Sequence, residues 1–258
     1  MVINPLYSVA GVLVGLLVGL TGVGGGSLMT PILVLAFGFH PATAVGTDLL
    51  YASATKVAGT GVHGLRGTVD WRVVRRLATG SVPAAVLTLL ALSLAHRRAE
   101  NTDHTITAVL GAALVVTGVG TLFRRRIVAR LGSRFSDVSE PRTAKLTVLL
   151  GAMLGALVTL TSVGAGALGM TALLVLYPKL PVAKLVGSDI AHAVPLTLIA
   201  GAGHWLMGSV DLSLLLSLLV GSVPGIIVGS LVATRVSDRA LSPILAATLA
   251  LVGAKLLV

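Results

Sequence analysis

The chain has 258 residues, of which 55% are hydrophobic and only 11% charged, with 31 glycines, no cysteine and a formal net charge of +10. Globular domains average about 25% charged residues, so a soluble fold is excluded, because there is too little polar surface to cover so much apolar side chain. Without cysteine, disulfides, thiolate metal sites and cysteine nucleophiles are excluded as well.

From the N-terminus, Met1-Val2-Ile3-Asn4-Pro5 carries no basic leader region, and no small-residue cleavage site closes the first apolar run, which is therefore expected to stay attached. Apolar runs of about 17 to 20 residues, enough to cross a ~30 Å hydrocarbon core, recur along the chain. They are continuous rather than alternating, which predicts helices and not a barrel. Residues 5–21 lead to a break at Gly22-Val23-Gly24-Gly25-Gly26, and residues 27–37 return as a short, re-entrant arm. Spans are expected at 46–62, 74–95 and 105–122. A basic stretch over 124–143 reads as a cytoplasmic linker. A second hairpin over 145–177 and spans at 185–203, 212–232 and 241–257 complete the chain.

The two parts are related. Residues 15–26 read GLLVGLTGVGGG and residues 155–166 read GALVTLTSVGAG, an offset of 140 that becomes 141 after one extra residue near Pro181. In that register Gly46-Thr47-Asp48 meets Gly187-Ser188-Asp189, and His63 meets His204. Gly67-Thr68-Val69-Asp70 meets Gly208-Ser209-Val210-Asp211, and Gly80-Ser81-Val82-Pro83 meets Gly221-Ser222-Val223-Pro224. Polar residues and prolines held in one register indicate internal duplication. The halves are 1–123 and 144–258, within one integrated transmembrane domain.

Of the nineteen Lys and Arg residues, fifteen cluster at 66–76, 124–145, 179–184 and 235–239. That is a positive-inside pattern and not a nucleic-acid surface. The segment after His63 carries four arginines, whereas its counterpart after His204 carries none; the turn at 38–45 has no Lys or Arg, whereas its counterpart has Lys179 and Lys184. Equivalent loops are thus expected on opposite sides. The fold class is an all-α polytopic membrane protein of two inverted-topology repeats, each a glycine-broken hairpin followed by three transmembrane helices, with both termini extracytoplasmic.

Breaking a helix inside lipid exposes backbone groups that lipid cannot satisfy, and a new helix start aims N–H groups at one point, as an anion site requires. Gly24, Gly25, Gly26 and Ser27 in the first half, and Gly164, Ala165 and Gly166 in the second, are placed for this, with hydroxyls from Thr21, Thr161 and Ser162. Close helix packing through glycine explains a single such cluster equally well; two equivalent clusters favour a site. Asp48, Lys56, Asp189 and His192 are ionisable groups within predicted spans, each costing on the order of 3 kcal/mol there unless it faces a cavity or a partner. Asp48 and Asp189 read equally as helix caps or as functional groups. Asp189 and His192 share a helix face and could form a proton-carrying pair. Lys56, whose counterpart is Thr197, snorkels outward, pairs with an aspartate or supplies positive charge to an anion substrate. His63 and His204 read as structural histidines, and Pro83 and Pro224 as matched kinks. No protease or nucleotide-loop pattern is present, so no enzyme activity, metal or cofactor is expected.

Gly22-Val-Gly-Gly-Gly with Pro31, Pro41-x-x-Ala-Val-Gly-Thr-Asp48, His63-x-x-x-Gly-x-Val-Asp-Trp71 and Gly80-x-x-Pro83 resemble the sulfite exporter TauE/SafE family, of the sulfonate-uptake-permease superfamily. The likeness covers nearly the whole chain. It implies a secondary transporter in the bacterial or archaeal cell (inner) membrane that moves a small sulfur-containing anion: sulfite, a sulfonate, sulfoacetate or thiosulfate. By resemblance the glycine tips and the Gly-Thr/Ser-Asp starts, including Thr47 and Ser188, line the substrate path. Asp48 and Asp189 depart from the more usual Gly-Thr-Ser, which raises proton coupling or pairing with Lys56. Expected partners are the anion and the bilayer; a homodimer is compatible with the sequence, and nucleic acid is not. The alternative is a channel-like pore or an accessory membrane scaffold.

Overall fold

The computed structural model describes residues 3–21, 26–96, 102–135, 138–232 and 238–257, and these are helical apart from short connections. In the first half α1 (Pro5–Thr21) and α2 (Gly26–Leu35) form the broken pair, followed by α3 (Pro41–Leu65), α4 (Trp71–His96) and α5 (Thr102–Phe135). In the second half α6 (Glu140–Thr161) leads through a π-helical turn (Ala165–Gly169) into α7 (Met170–Leu176), then α8 (Val182–Leu206), α9 (Leu212–Val232) and α10 (Asp238–Leu257). The all-helical prediction holds.

Five helices among the described residues are long and apolar enough to cross a membrane: Trp71–Leu94, Thr107–Gly132, Glu140–Thr161, Val182–Leu206 and Leu212–Val232. α2 has 10 residues, about 15 Å at 1.5 Å per residue, and so reaches roughly half of a ~30 Å core, as a re-entrant arm would. Two boundaries differ from expectation. α3 and α8 begin at Pro41 and Val182 rather than at 46 and 185, because His40-Pro41 and Pro181 open the helices at their first turns. α5 has 34 residues, about 51 Å. The basic segment assigned to a linker from 124 is therefore helical as far as Phe135, and α5 carries its arginines past the end of the apolar stretch.

Packing between the halves is reciprocal. α1 lies on α9 and α4 lies on α6, while the equivalent pairs α3 with α8 and α5 with α10 pack on each other. A side chain at Gly15 would overlap the Ser222 backbone, and one at Gly155 would overlap the equivalent Ser81 backbone. Gly80 against Val148 likewise mirrors Gly221 against Ser8. The sequence duplication thus recurs as a contact duplication, with the halves exchanging partners.

The outer surface is apolar. Leu87 of α4, Leu149 of α6 and Leu251 of α10 are exposed, an arrangement that water would penalise and lipid does not. Polar groups instead collect inside, where Thr47, Asp48, Ser188 and His192 are each 0% exposed. α3 and α8 hold this buried polar layer between the two broken pairs.

Candidate functional site

The Gly-Thr/Ser-Val-Asp segments explain how α3 and α8 are placed. Asp70 Oδ1 accepts from the backbone N–H groups of Arg72 at 3.0 Å and Val73 at 3.3 Å, capping α4. Asp211 Oδ1 accepts from Leu214 N–H at 2.9 Å, capping α9. The backbone N–H of Asp70 donates to Ser188 Oγ at 2.8 Å, and that of Asp211 donates to Thr47 Oγ1 at 3.0 Å. Thr47 and Ser188, expected on a substrate path, are therefore fasteners: each ties its helix to the start of a helix from the other half.

One residue further on, Asp48 and Asp189 point inward. Each is the eighth residue of its helix, a full two turns from the start, and neither makes a cap, so the capping alternative is excluded. Asp48 Oδ2 accepts from Thr30 Oγ1 at 2.6 Å and from Ser162 Oγ at 2.8 Å, joining α3 to α2 and to the second glycine tip. Asp189 Oδ1 faces Gly169 on the π turn, 3.1 Å from where a side chain there would begin. Neither of its buried oxygens has a hydrogen-bond partner among the described residues.

The second tip is built around two unusual backbone positions. Ser162 holds φ 57° and Gly164 φ 113°; the left-handed conformation costs a serine roughly 1–2 kcal/mol, and the Asp48 hydrogen bond compensates for it. Thr161 Oγ1 donates to Leu157 O at 2.7 Å and accepts from Val163 N–H at 3.1 Å, which closes the turn. The carbonyl of Gly164 accepts from Leu168 and Gly169 N–H at 3.1 and 3.0 Å. The N–H groups of Ala165 and Gly166 open the following helical run, where no preceding helical carbonyl exists to receive them. In the first tip, Gly24 and Gly25 lie outside the described residues, and Thr21, Gly26 and Ser27 are described only as backbone at the ends of α1 and α2.

Lys56 is 3% exposed, which excludes snorkelling. It lies two turns beyond Asp48 on α3, and its charge acts on both Asp189 and Asp48. Among the described residues it makes no contact-distance ion pair with either. His192 is buried, but its Nε2 meets Ser81 Oγ at 2.8 Å and its Nδ1 has no partner, so the expected direct pair with Asp189 does not form. His63 Nδ1 meets Thr68 Oγ1 at 2.9 Å and His204 Nε2 donates to Thr159 O at 2.9 Å, both structural.

Two residues of this centre escaped sequence reasoning. Thr30 is the one hydroxyl in the otherwise apolar second part of its arm, MTPILVL, and that isolation was its signal. Tyr51, 0% exposed, occupies on α3 the position equivalent to His192. The result is a closed centre of one cation and two carboxylates where α3, α8, α2 and the second tip meet. Two cavities elsewhere do not touch it. One of about 290 Å³ lies by Arg76, Tyr177 and Lys179, and an apolar one of about 190 Å³ lies between α2 and α10.

A buried charged centre framed by paired glycine-broken helices, inside an apolar exterior, narrows the chain to membrane transport, and the comparison with known proteins decides the family. The profile of the family described as Sulfite exporter TauE/SafE matches residues 7–256. The chain belongs to the TauE/SafE family. It is a multi-pass membrane protein of a transporter family. It is 38% identical over 205 residues, 79% of this chain and 80% of the relative, to the probable membrane transporter protein YjnA of Bacillus subtilis. A shorter match, 40% identical over 68 residues and covering 26% of this chain and 25% of the relative, is to the probable membrane transporter protein YunE of the same organism. No solved structure matches the chain.

Proposed function

We propose that the chain is a secondary transporter of a small sulfur-containing anion, of the sulfite, sulfonate, sulfoacetate or thiosulfate class, working by alternating access across the cell membrane. The observation that carries this reading is the buried Lys56, whose charge acts on two buried carboxylates, beside the second helix break. An ammonium group in a low-dielectric centre attracts an oxyanion strongly, because water no longer screens it. The reciprocal packing of α1 on α9 and α4 on α6 supplies two equivalent bodies that can rock around a fixed site. On this reading the halves are inverted, so the same motion closes one side and opens the other.

The carboxylates make proton coupling part of the proposal. A monovalent anion leaving a negative-inside cell gains about 2.3 kcal/mol per 100 mV. Export can proceed without a coupling ion, whereas uptake must draw that amount from a proton.

Counterflow of labelled sulfite and sulfonates in liposomes holding the purified protein tests the proposal. Saturable flux accelerated by unlabelled anion on the opposite side is expected. A pore would give flux without that acceleration. Absence of substrate-dependent flux for every sulfur oxyanion and sulfonate tried would reject the transporter reading.

A further inference from the structure

The two buried carboxylates occupy equivalent positions in unequal surroundings. Asp48 is held by the hydroxyls of Thr30 and Ser162. At the offset of 140 their counterparts around Asp189 are Met170 and Gly22, neither of which has a side-chain donor. Both Asp189 oxygens are buried without a partner among the described residues. The position facing Oδ1 is Gly169, where the first half has the buried Met29.

An ionised carboxylate stripped of water and of hydrogen bonds costs several kcal/mol, and only a nearby cation or a proton removes that cost. For Asp48 two hydroxyls provide compensation whatever else happens in the centre. Asp189 has only charge to rely on. Lys56 supplies it from α3, its influence falling first on Asp189 and then on Asp48, and Arg124 adds to it from α5. His192, one turn on in α8, is engaged with Ser81 through one nitrogen. The other helices against α8 contribute little. α4 and α6 carry Arg72, Arg75, Arg76, Glu140, Arg142 and Lys145 in their first turns, and the π turn and α7 carry no charge. Lys56 is itself unduplicated, since Thr197 at the equivalent position donates to Ala193 O at 2.7 Å.

An anion that enters and binds Lys56 takes over the charge that balances Asp189. The carboxylate then keeps only the influence of Arg124 and has no hydrogen-bond donor among the described residues, and it takes a proton. We propose that Asp189 is the proton-binding site of the transport cycle, ionised against Lys56 when the site is empty and protonated when the anion occupies Lys56, while Asp48 stays a fixed acceptor. One proton enters with each negative charge bound at Lys56, and the charge of the centre is the same loaded and empty. This inference rests on the anion-transport reading.

The test uses the full chain in liposomes with a labelled monovalent alkanesulfonate, whose charge does not change over the pH range, alongside sulfite. With one proton per anion, a gradient of one pH unit sustains about a tenfold accumulation ratio in the wild type. Asp189→Asn is expected to exchange anion at a reduced rate with the ratio down to about 1. Asp48→Asn should lose stability and rate but keep the pH-driven ratio. Met170→Thr, which restores the donor that Asp48 has from Thr30, should move the pH midpoint of transport downward. A wild-type ratio in Asp189→Asn, or wild-type counterflow indifferent to pH, overturns the assignment and leaves the transporter reading intact; no counterflow at all overturns both. Infrared titration in detergent reads the same group without substrate. The wild-type spectrum minus that of Asp189→Asn should contain the carbonyl band of one protonated acid that grows in on acidification, and the same band should be present in Asp48→Asn; a difference spectrum without that band contradicts the assignment.

Discussion

Thr30 and Lys56 show how the centre depends on single atoms. Removing the Thr30 hydroxyl with Thr30→Val leaves Asp48 Oδ2 with Ser162 alone, and loss of a hydrogen bond to a charged group costs about 1.5–3 kcal/mol. A lowered melting temperature in detergent would show this, and an unchanged one would mean that the bond is replaceable. Lys56→Met keeps the side-chain length and removes the charge. By the same magnitude it should lower anion affinity about ten- to a hundredfold, measured as the half-saturating concentration in counterflow. At this scale sequence reasoning reached Asp48, Lys56, Asp189 and His192, because an ionisable residue within an apolar run is conspicuous. It could not reach what they touch. Thr30 and Asp48 are 18 residues apart and Ser162 and Asp48 are 114 apart, and only the packing of both halves brings them together. The fastening role of Thr47 and Ser188 was out of reach for the same reason: the backbone N–H groups that bond their hydroxyls come from the other half of the chain.

Helix pairs rather than single helices are the structural units here. α4 and α6 approach closely enough that a side chain at Gly155 would overlap the Ser81 backbone, and α1 and α9 do the same at Gly15 and Ser222. Gly155→Leu should therefore drive the pair apart and reduce the yield of folded protein in detergent size-exclusion profiles. Gly61→Ala is the control. Nothing lies within 4 Å of the space it would fill, and alanine in a helix is about 0.5–1 kcal/mol better than glycine, so the variant should be as stable as the parent or more so. Most helices were legible from apolar run length. The starts of α3 and α8 were placed too late because their first turns are polar enough to resemble loops, and the end of α5 was missed because a run of arginines signals a membrane boundary without ending a helix.

Over the whole molecule, the duplication visible in sequence is matched by exchanged contacts between halves, and the loop charges predict that the halves run in opposite directions through the membrane. Leu65 and Leu206 are equivalent residues at the ends of α3 and α8, 93% and 90% exposed. The chain has no cysteine, so single Leu65→Cys and Leu206→Cys variants can be probed with a membrane-impermeant thiol reagent. Labelling of Leu65→Cys only from the cytoplasmic side and of Leu206→Cys only from the outside is expected of inverted halves. Labelling of both from one side would show parallel halves and remove the basis for alternating access between them. The substrate class was reached through family resemblance, not through residue chemistry, since one ammonium group and two carboxylates do not distinguish sulfur from other central atoms.

We propose that an anion binds at the buried charged centre. A structure of the protein determined with sulfite or a sulfonate tests it most directly. Density is expected within hydrogen-bonding reach of Lys56 Nζ and the second glycine tip, with Asp189 beside it. Density for the anion elsewhere, with both tips packed dry against apolar side chains, would contradict it.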